Sequence, residues 1–343
     1  MRNTKKILAA ILAAAMMLSL CACGAKEVAE PEQGETTEPI VISISNAYTD
    51  LDQVNVELKK AAENIQERTN GAVVVNVYPN DTLGTITDGM EAIASNSPLM
   101  LVAGFGDWAD IYPDGVALEA GFVYNNMEEV KRIRDTQFFE DVVAEMDKLN
   151  VHAFDCTFIG GMRHVIGREA YTTPEEIKGL KLRVPNTETF IEAFEALGAC
   201  PMAMTASEQL TALSAGTVDA LDQSISLIYS TKSYELVKEV SLIGQIPLSD
   251  GLFCSTTWWN SLPAEYQTII AEELSACGSR YYDYSVENES TMRAELEAAG
   301  VTFHEVDRDA FAAMAGDLVL KYGIGEDLLA AVAEIRADMA AGN

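Results

Sequence analysis

The alternation of strand and helix patterns is the feature that most restricts the fold of this chain. Apolar residues alternate from Ile40 to Ser45 and from Ala72 to Tyr78, and between them they recur at helical spacing from Asp50 to Asn70. A helical stretch from Thr87 to Ala94 and an apolar run from Leu99 to Ala103 follow. This β-α-β-α-β order predicts a mostly parallel sheet covered by helices.

The same order of patterns returns after residue 150. Val151 to Phe154 and Arg163 to Ile166 are predicted strands, and Glu188 to Leu197 has the pattern of an amphipathic helix. Further strands are predicted at Lys181 to Val184 and at Val218 to Asp222. The folded part would hold roughly 300 residues, which exceeds one compact core, so two domains are expected.

A long helical pattern begins at Pro263 and reaches about Ala299. At 1.5 Å per residue, such a helix would span about 55 Å, which exceeds the width of roughly 30 Å of an ordinary domain. Either one helix bridges two domains or two helices meet at a kink.

The N-terminus has the composition of an export signal. A basic start is followed by an apolar stretch from Ile7 to Leu20, which is typical of a secretory signal peptide. The stretch ends Leu-Cys-Ala-Cys-Gly, which resembles a bacterial lipobox, and the small Ala22 favours lipidation of Cys23 over Cys21. We expect residues 1–22 to be the signal peptide, 23–39 a flexible tether, and the protein to be lipid-anchored outside the cytoplasm or periplasmic.

The charge of the chain is strongly negative. Its 53 acidic and 23 basic residues give a formal net charge of −30, which would repel nucleic acid and anionic lipid headgroups. An anionic ligand would therefore need a local cationic site. The histidines and the cysteines beyond the lipobox have no metal-ligand spacing, so neither a metal site nor a cofactor is expected.

The most informative motifs lie between residues 160 and 224. Gly-Gly-Met-Arg ends at Arg163, Thr-Pro-Glu-Glu-Ile-Lys-Gly-Leu-Lys-Leu-Arg-Val-Pro runs from Thr173 to Pro185, and Val-Asp-Ala-Leu-Asp-Gln ends at Gln223. Together with Tyr78 to Gly84 and Trp258 to Pro263, these motifs resemble the DctP-type solute-binding proteins of tripartite ATP-independent periplasmic (TRAP) transporters. The resemblance extends over nearly all of the chain after the tether.

This resemblance implies a fold and a function. The fold would be an α/β, two-domain periplasmic-binding-protein fold of the TRAP type, with a ligand cleft between the domains and a long helix spanning both. We expect domain I at residues 40–160 plus 250–285 and domain II at 161–249 plus 286–343. The implied function is capture of a small organic carboxylate outside the cytoplasm and its delivery to the membrane permease subunits of a TRAP transporter.

The resemblance also implies ligand-binding residues. Arg183 matches the family arginine that forms a two-pronged salt bridge with a ligand carboxylate, and a planar guanidinium suits that task. Arg163 matches a second recurrent arginine. Gln223 stands where the family usually has Asn, and either amide can donate to a carboxylate oxygen.

The first domain offers weaker candidates. Asp107 and Trp108 follow a predicted strand in a glycine-rich loop, where Asp107 could accept from hydroxyl or amine groups and Trp108 could stack on an apolar part of a ligand. Packing of Trp108 in the core is an equal alternative. Asn46, at the end of the first strand, is a further candidate.

Two other functions are open to test. An enzyme is not expected, because the chain lacks a G-x-S-x-G elbow, a P-loop, a G-x-G-x-x-G loop and a metal-spaced His cluster, and no catalytic residue is predicted. The alternative function is a ligand-sensing protein that contacts a membrane signalling receptor through the same cleft.

Overall fold

Ten strands lie within residues 38–342, the part of the chain that this computed structural model describes. They are β1 (Ile40–Ser45), β2 (Val73–Tyr78), β3 (Leu99–Ala103), β4 (Val151–Gly167), β5 (Lys181–Val184), β6 (Cys200–Ala203), β7 (Ala220–Ser224), β8 (Glu239–Ser241), β9 (Pro247–Ser255) and β10 (Thr302–His304). The hydrogen-bonded order is β2-β1-β3-β9-β4-β7-β5-β6, with β8 joined to β4 and β10 joined to β8.

The helices of the described chain cover these strands. They are α1 (Gln53–Arg68), α2 (Ile86–Ala94), α3 (Met127–Ile133), α4 (Gln137–Lys148), α5 (Glu188–Ala196), α6 (Gln209–Ser214), α7 (Ile225–Thr231), α8 (Thr256–Trp259), α9 (Ala264–Ala298), α10 (Arg308–Ala315) and α11 (Gly325–Ala340). Short 3-10 turns lie at Phe105–Trp108, Pro113–Glu119, Pro174–Ile177, Ser233–Glu235 and Leu318–Lys321. Within residues 38–342, no helix combines the length and the apolar character that a membrane crossing requires.

The strand β4 belongs to two parts of the sheet. Its first residues, up to Met162, pair antiparallel with β9, which in turn joins β3 and the parallel strands β1 and β2. From Arg163 onward, β4 pairs with β7 and β8, and β7 joins the parallel strands β5 and β6. The parallel pairing predicted from the β-α-β order is therefore present in both parts.

The sequence prediction of two separate strands in residues 151–166 is wrong, because the structure has one strand there. The pattern was interrupted by Gly160 and Gly161, and the pairing register with β9 shifts between Ile159 and Met162. Gly161 has a φ of 106°, a value that favours glycine, so a distortion within one strand replaces the predicted break.

The long helical pattern is a single helix. The 35 residues of α9 span about 53 Å at 1.5 Å per residue, which excludes the alternative of two helices meeting at a break. Leu274 and Tyr281 pack in the core beside β1 and β2, whereas Leu296 packs in the core beside β7. Gly278 allows close approach to β4, because a Cβ there would lie 2.8 Å from the amide nitrogen of Thr157.

Candidate ligand-binding site

A cavity of about 570 Å³ lies at the carboxyl ends of five strands. Its lining includes residues of the loops that follow β1, β2, β3, β5 and β6. Ligands of α/β proteins bind in crevices at this end of the strands, because loops and helix N-termini converge there. Both parts of the sheet contribute to the lining, which makes this cavity the candidate site.

Arg183 lies on β5 and lines the cavity, with 4% of its surface exposed. Its Nε and Nη2 donate to the carbonyl oxygen of Met204 at 3.1 and 2.8 Å, and Nη1 lies 3.4 Å from Oε1 of Gln209. No carboxylate of residues 38–342 forms an ion pair with it. Burial, together with the charge of Arg163, lowers the pKa of Arg183 to about 10, so the guanidinium remains charged at neutral pH.

Arg163 lines the same cavity from β4 and has a charged partner. Its Nε donates to Oδ2 of Asp222 at 2.7 Å, and its Nη2 donates to the carbonyl oxygen of Asp222 at 2.7 Å. Its guanidinium carbon lies 5.0 Å from the ring centroid of Phe190, which also lines the cavity. We call the two arginines the arginine pair; within residues 38–342, Arg163 forms an ion pair with a carboxylate and Arg183 does not.

Gln223 lies behind the cavity and does not line it. Its Nε2 donates to Oε1 of Gln209 at 3.1 Å, and its Oε1 accepts from the Ser233 hydroxyl at 2.6 Å. Gln209, on α6, is the amide that lines the cavity beside Arg183. The structure therefore places Gln223 where it orients Gln209, a residue that the sequence analysis did not select.

Of the three candidates in the first domain, Asp107 alone lines the cavity. Its carboxylate accepts from the amide of Gly104 at 2.9 Å and from the hydroxyl of Thr187 at 2.7 Å. Thr187 precedes α5, so this bond joins the loop after β3 to the loop after β5. Burial raises the pKa of Asp107 to about 6.

Trp108 and Asn46 lie outside the lining. The 3-10 turn at 105–108 directs the Trp108 ring into the apolar core, where its centroid lies 5.1 Å from that of Phe253. Asn46 is buried and holds the loop after β1, because its amide donates to Asn55 at 2.9 Å and its carbonyl accepts from the amide of Tyr48 at 3.0 Å. The core-packing alternative for Trp108 is the arrangement that the structure shows.

Besides Asp81, three carboxyl groups that sequence reasoning missed line the cavity: Asp52, Glu119 and Asp250. Together with Asp107 they form what we call the acidic wall. Asp250 accepts from the hydroxyl of Tyr48 at 2.7 Å, and Asp52 caps α1 through the amide of Val54 at 3.0 Å. The N-cap position of Asp52 can be predicted from sequence. Glu119 and Asp250 are distant in sequence, and their proximity depends on tertiary structure.

Glu119 is the most deeply buried member of the acidic wall. Its Oε1 accepts from the amide of Phe105 at 2.7 Å. A Cβ at position 104 would lie 2.5 Å from the same oxygen, so a larger residue there would displace the Glu119 carboxyl. Burial, together with the charges of Asp107 and Asp250, raises the pKa of Glu119 to about 8, so this carboxyl is largely protonated at neutral pH.

Comparison with known proteins identifies the family. Residues 44–324 match the DctP family model, described as bacterial extracellular solute-binding protein, family 7. The chain belongs to the DctP family. The sequence prediction of a DctP-type solute-binding protein is therefore confirmed.

Solved structures of DctP-family relatives share this fold. A TRAP periplasmic solute-binding protein from Fusobacterium nucleatum, with bound sn-glycerol-3-phosphate, is 32% identical, with a TM-score of 0.84 over 88% of this chain and 99% of that one. A protein from Desulfovibrio salexigens, in complex with diglycerolphosphate, is 28% identical with the same TM-score and the same coverage. The two-domain α/β fold with a long helix is thus confirmed.

A relative from Escherichia coli is also a solute-binding protein. The 2,3-diketo-L-gulonate-binding periplasmic protein YiaO of Escherichia coli K12 is 26% identical over 294 residues, which are 83% of this chain and 89% of YiaO. These DctP-family relatives are solute-binding proteins. The predicted lipidation site, Cys23, lies outside the residues that the structure describes.

Proposed function

We propose that this protein captures a small organic carboxylate outside the cytoplasm and delivers it to the membrane permease subunits of a TRAP transporter. The observation that carries the proposal is Arg183, a buried cation that faces the cavity and has no carboxylate partner among the described residues. An unpaired buried charge is costly, so a ligand anion that pairs with it gains a strong, charge-assisted contact.

The two arginines of the arginine pair would contribute differently to anion binding. Arg183 offers its guanidinium edge to both oxygens of a carboxylate, while Arg163, fixed by Asp222, adds a second positive charge near the same anion. Gln209 lies beside Arg183 and can donate through its amide, and Gln223 fixes the orientation of that amide.

A phosphate ester is a second candidate for the anionic group. The relatives from Fusobacterium nucleatum and Desulfovibrio salexigens hold sn-glycerol-3-phosphate and diglycerolphosphate, and two neighbouring arginines suit a phosphate as well as a carboxylate. Against it, a phosphate monoester carries more negative charge into a cavity that already holds the acidic wall.

Ligand capture would be coupled to domain closure. With domain I at residues 40–160 plus 250–285 and domain II at 161–249 plus 286–343, the acidic wall falls in domain I and the arginine pair in domain II. A ligand that contacts both would shift an open–closed equilibrium toward the closed state. We propose further that a lipid on Cys23 and the tether 23–39 hold the protein at the outer face of the membrane.

Thermal melting against a panel of anions tests the proposal. The panel contains C4-dicarboxylates, 2-keto acids, sugar acids, amino acids and glycerol phosphates, each measured with the wild type, Arg183→Ala and the control Lys59→Ala. Lys59 is an exposed cation outside the cavity lining. A ligand at a hundred times its Kd adds about 2.7 kcal/mol, which is a shift of several degrees.

We expect one class of anion to shift the melting temperature of the wild type and of Lys59→Ala, and to leave Arg183→Ala unshifted. A shift that persists in Arg183→Ala would contradict the assignment of Arg183 as the anchor. If no member of the panel changes the melting temperature, the assignment to small organic anions is wrong.

A further inference from the structure

The cavity lining holds more carboxyl groups than cationic side chains, which does not suit a ligand that carries only negative charge. The lining holds two cationic side chains, the arginine pair, and five carboxyl groups, which are the acidic wall and Asp81. Neutral Glu119 still leaves the carboxylates in excess. A ligand that brought only negative charge would enlarge this excess and would be repelled by the carboxylates.

The four members of the acidic wall are not equivalent. Three of them accept a hydrogen bond from a backbone amide: Asp107 and Glu119 from the loop after β3, and Asp52, the N-cap of α1, from Val54 through its Oδ1. Asp250 accepts one hydrogen bond among the described residues, from the Tyr48 hydroxyl to its Oδ2. Burial raises the pKa of Asp52, and the charge of the neighbouring Asp250 adds to this rise.

Neither Asp52 nor Asp250 forms an ion pair within residues 38–342. Burial raises the pKa of Asp250, and the charges of Arg163 and Arg134, which lie near it without a direct contact, only partly offset this rise. A hydroxyl group of a ligand could donate to them, but it would leave their negative charge in place. A protonated amine donates up to three hydrogen bonds and also neutralises one charge. Arg183 faces the cavity and identifies the place where the anionic end of a ligand would bind. The acidic wall determines which chemical group the other end of that ligand should carry.

We propose that the ligand is a zwitterion, with its carboxylate at the arginine pair and a protonated amine against Asp250 and Asp52. This inference rests on the proposed function, because it assumes that Arg183 receives the anion. It predicts that a ligand with a second carboxylate in place of the amine is rejected, since the second carboxylate would meet Asp250 and Asp52.

A matched series of acids tests the proposal on the purified protein. At each chain length from four to six carbons, the terminal group is methyl, hydroxyl, carboxylate or ammonium, as in hexanoate, 6-hydroxyhexanoate, adipate and 6-aminohexanoate. Lysine and ornithine extend the series to α-amino acids. At the best chain length, we expect the amino acid to bind about tenfold or more tighter than the hydroxy acid, and the dicarboxylate to bind most weakly.

Substitution of Asp250 should change the affinities for the amino acid and for the plain acid in opposite directions. Asp250→Asn keeps the shape of the side chain and removes its charge, so it should weaken binding of the amino acid about tenfold and strengthen binding of the plain acid. Tyr48→Phe is the matched control, because it removes the hydrogen bond to Asp250 and keeps the charge. That variant should retain the preference for the amino acid.

The outcomes separate this inference from the proposed function. If hydroxy acids, dicarboxylates or glycerol phosphates bind as well as the amino acids, and Arg183→Ala abolishes their binding, the zwitterion is wrong and the anion-binding role of Arg183 stands. If amino acids bind equally well to the wild type and to Arg183→Ala, the anchoring role of Arg183 is wrong. Absence of binding by every acid tested contradicts both.

Discussion

The arginine pair and the acidic wall are two groups of buried charges in one cavity, and they differ in how the protein satisfies them. Arg163 is held by Asp222 through two hydrogen bonds, whereas Arg183, among the described residues, donates only to the neutral oxygens of Met204 and Gln209. Asp107 and Glu119 support a loop, whereas Asp250 receives one hydroxyl. In each group, the residues with protein partners maintain the fold, whereas Arg183 and Asp250 remain available to a ligand.

This difference predicts which charged residues contribute to the stability of the fold and which contribute to ligand affinity. A charge that the protein already neutralises is costly to remove, because its partner is then buried alone. A charge without a protein partner contributes little to the fold and much to a ligand of opposite charge. The predictions below test that division, from the largest expected effect to the smallest.

Arg163→Leu should lower the free energy of unfolding by about 3–5 kcal/mol, because it leaves the Asp222 carboxylate buried without its cation. Chemical denaturation of the ligand-free protein measures the loss. Arg293→Leu is the control, since Arg293 pairs with Glu297 on the exposed face of α9 and such pairs contribute about 0–1 kcal/mol. Equal losses in the two variants would contradict the structural role of Arg163.

Arg183→Ala should weaken ligand binding by about 2–5 kcal/mol while changing ligand-free stability less than Arg163→Leu does. No protein carboxylate is left without a partner by this change. Arg183→Lys keeps the charge and loses the planar fork, so its affinity should lie between those of the wild type and Arg183→Ala. Titration calorimetry measures all three proteins, and full affinity in Arg183→Lys would exclude a two-pronged contact.

Stability should fall as pH rises from 7 to 8, because burial, together with the charges of Asp107 and Asp250, raises the pKa of Glu119 to about 8. The folded protein holds this proton more tightly than the unfolded chain, whose glutamate titrates near 4.5, so raising the pH favours unfolding. The slope is about 1.4 kcal/mol per pH unit between these values.

Denaturation at pH 7 and pH 8, above the pKa of about 6 of Asp107, checks this slope, and Glu119→Gln should flatten it. Glu176→Gln is the control, because the pKa of exposed Glu176 is lowered by hydrogen bonds from the Thr172 and Thr173 amides and lies below this pH range. A slope that survives in Glu119→Gln would show that other groups carry the pH dependence.

Tyr48→Phe should lower the free energy of unfolding by about 1 kcal/mol, the usual loss for one hydrogen bond. The hydroxyl lies 2.7 Å from Oδ2 of Asp250, and both side chains line the cavity. Chemical denaturation measures the effect. A loss as large as that of Arg163→Leu would mean that the Tyr48–Asp250 contact maintains the fold instead of serving the cavity.

Local patterns in the sequence predicted much of the fold. The strand–helix order follows from periodicity, and the family resemblance singled out Arg163 and Arg183, which both line the cavity. Periodicity left one helix and two kinked helices open for residues 263–299, and the structure has the single helix α9. The continuity of β4 could not be predicted, because Gly160 and Gly161 interrupt the apolar pattern while the backbone continues in the sheet.

The site was only partly readable for a similar reason. Whether Gln223 or Gln209 meets the cavity depends on packing between β7 and α6, and both amides are compatible with the motif. Glu119 and Asp250 are distant in sequence and converge only through the sheet. Trp108 occupies a glycine-rich turn that suits either a ligand contact or core packing, and the turn geometry decides for the core.

A crystal structure of the complex with the acid that most raises the melting temperature tests the central claim most directly. The account predicts both oxygens of the ligand's anionic group about 2.7–2.9 Å from the guanidinium nitrogens of Arg183, with Arg163 still paired to Asp222. An anion bound elsewhere, with Arg183 still donating only to Met204 and Gln209, would contradict it.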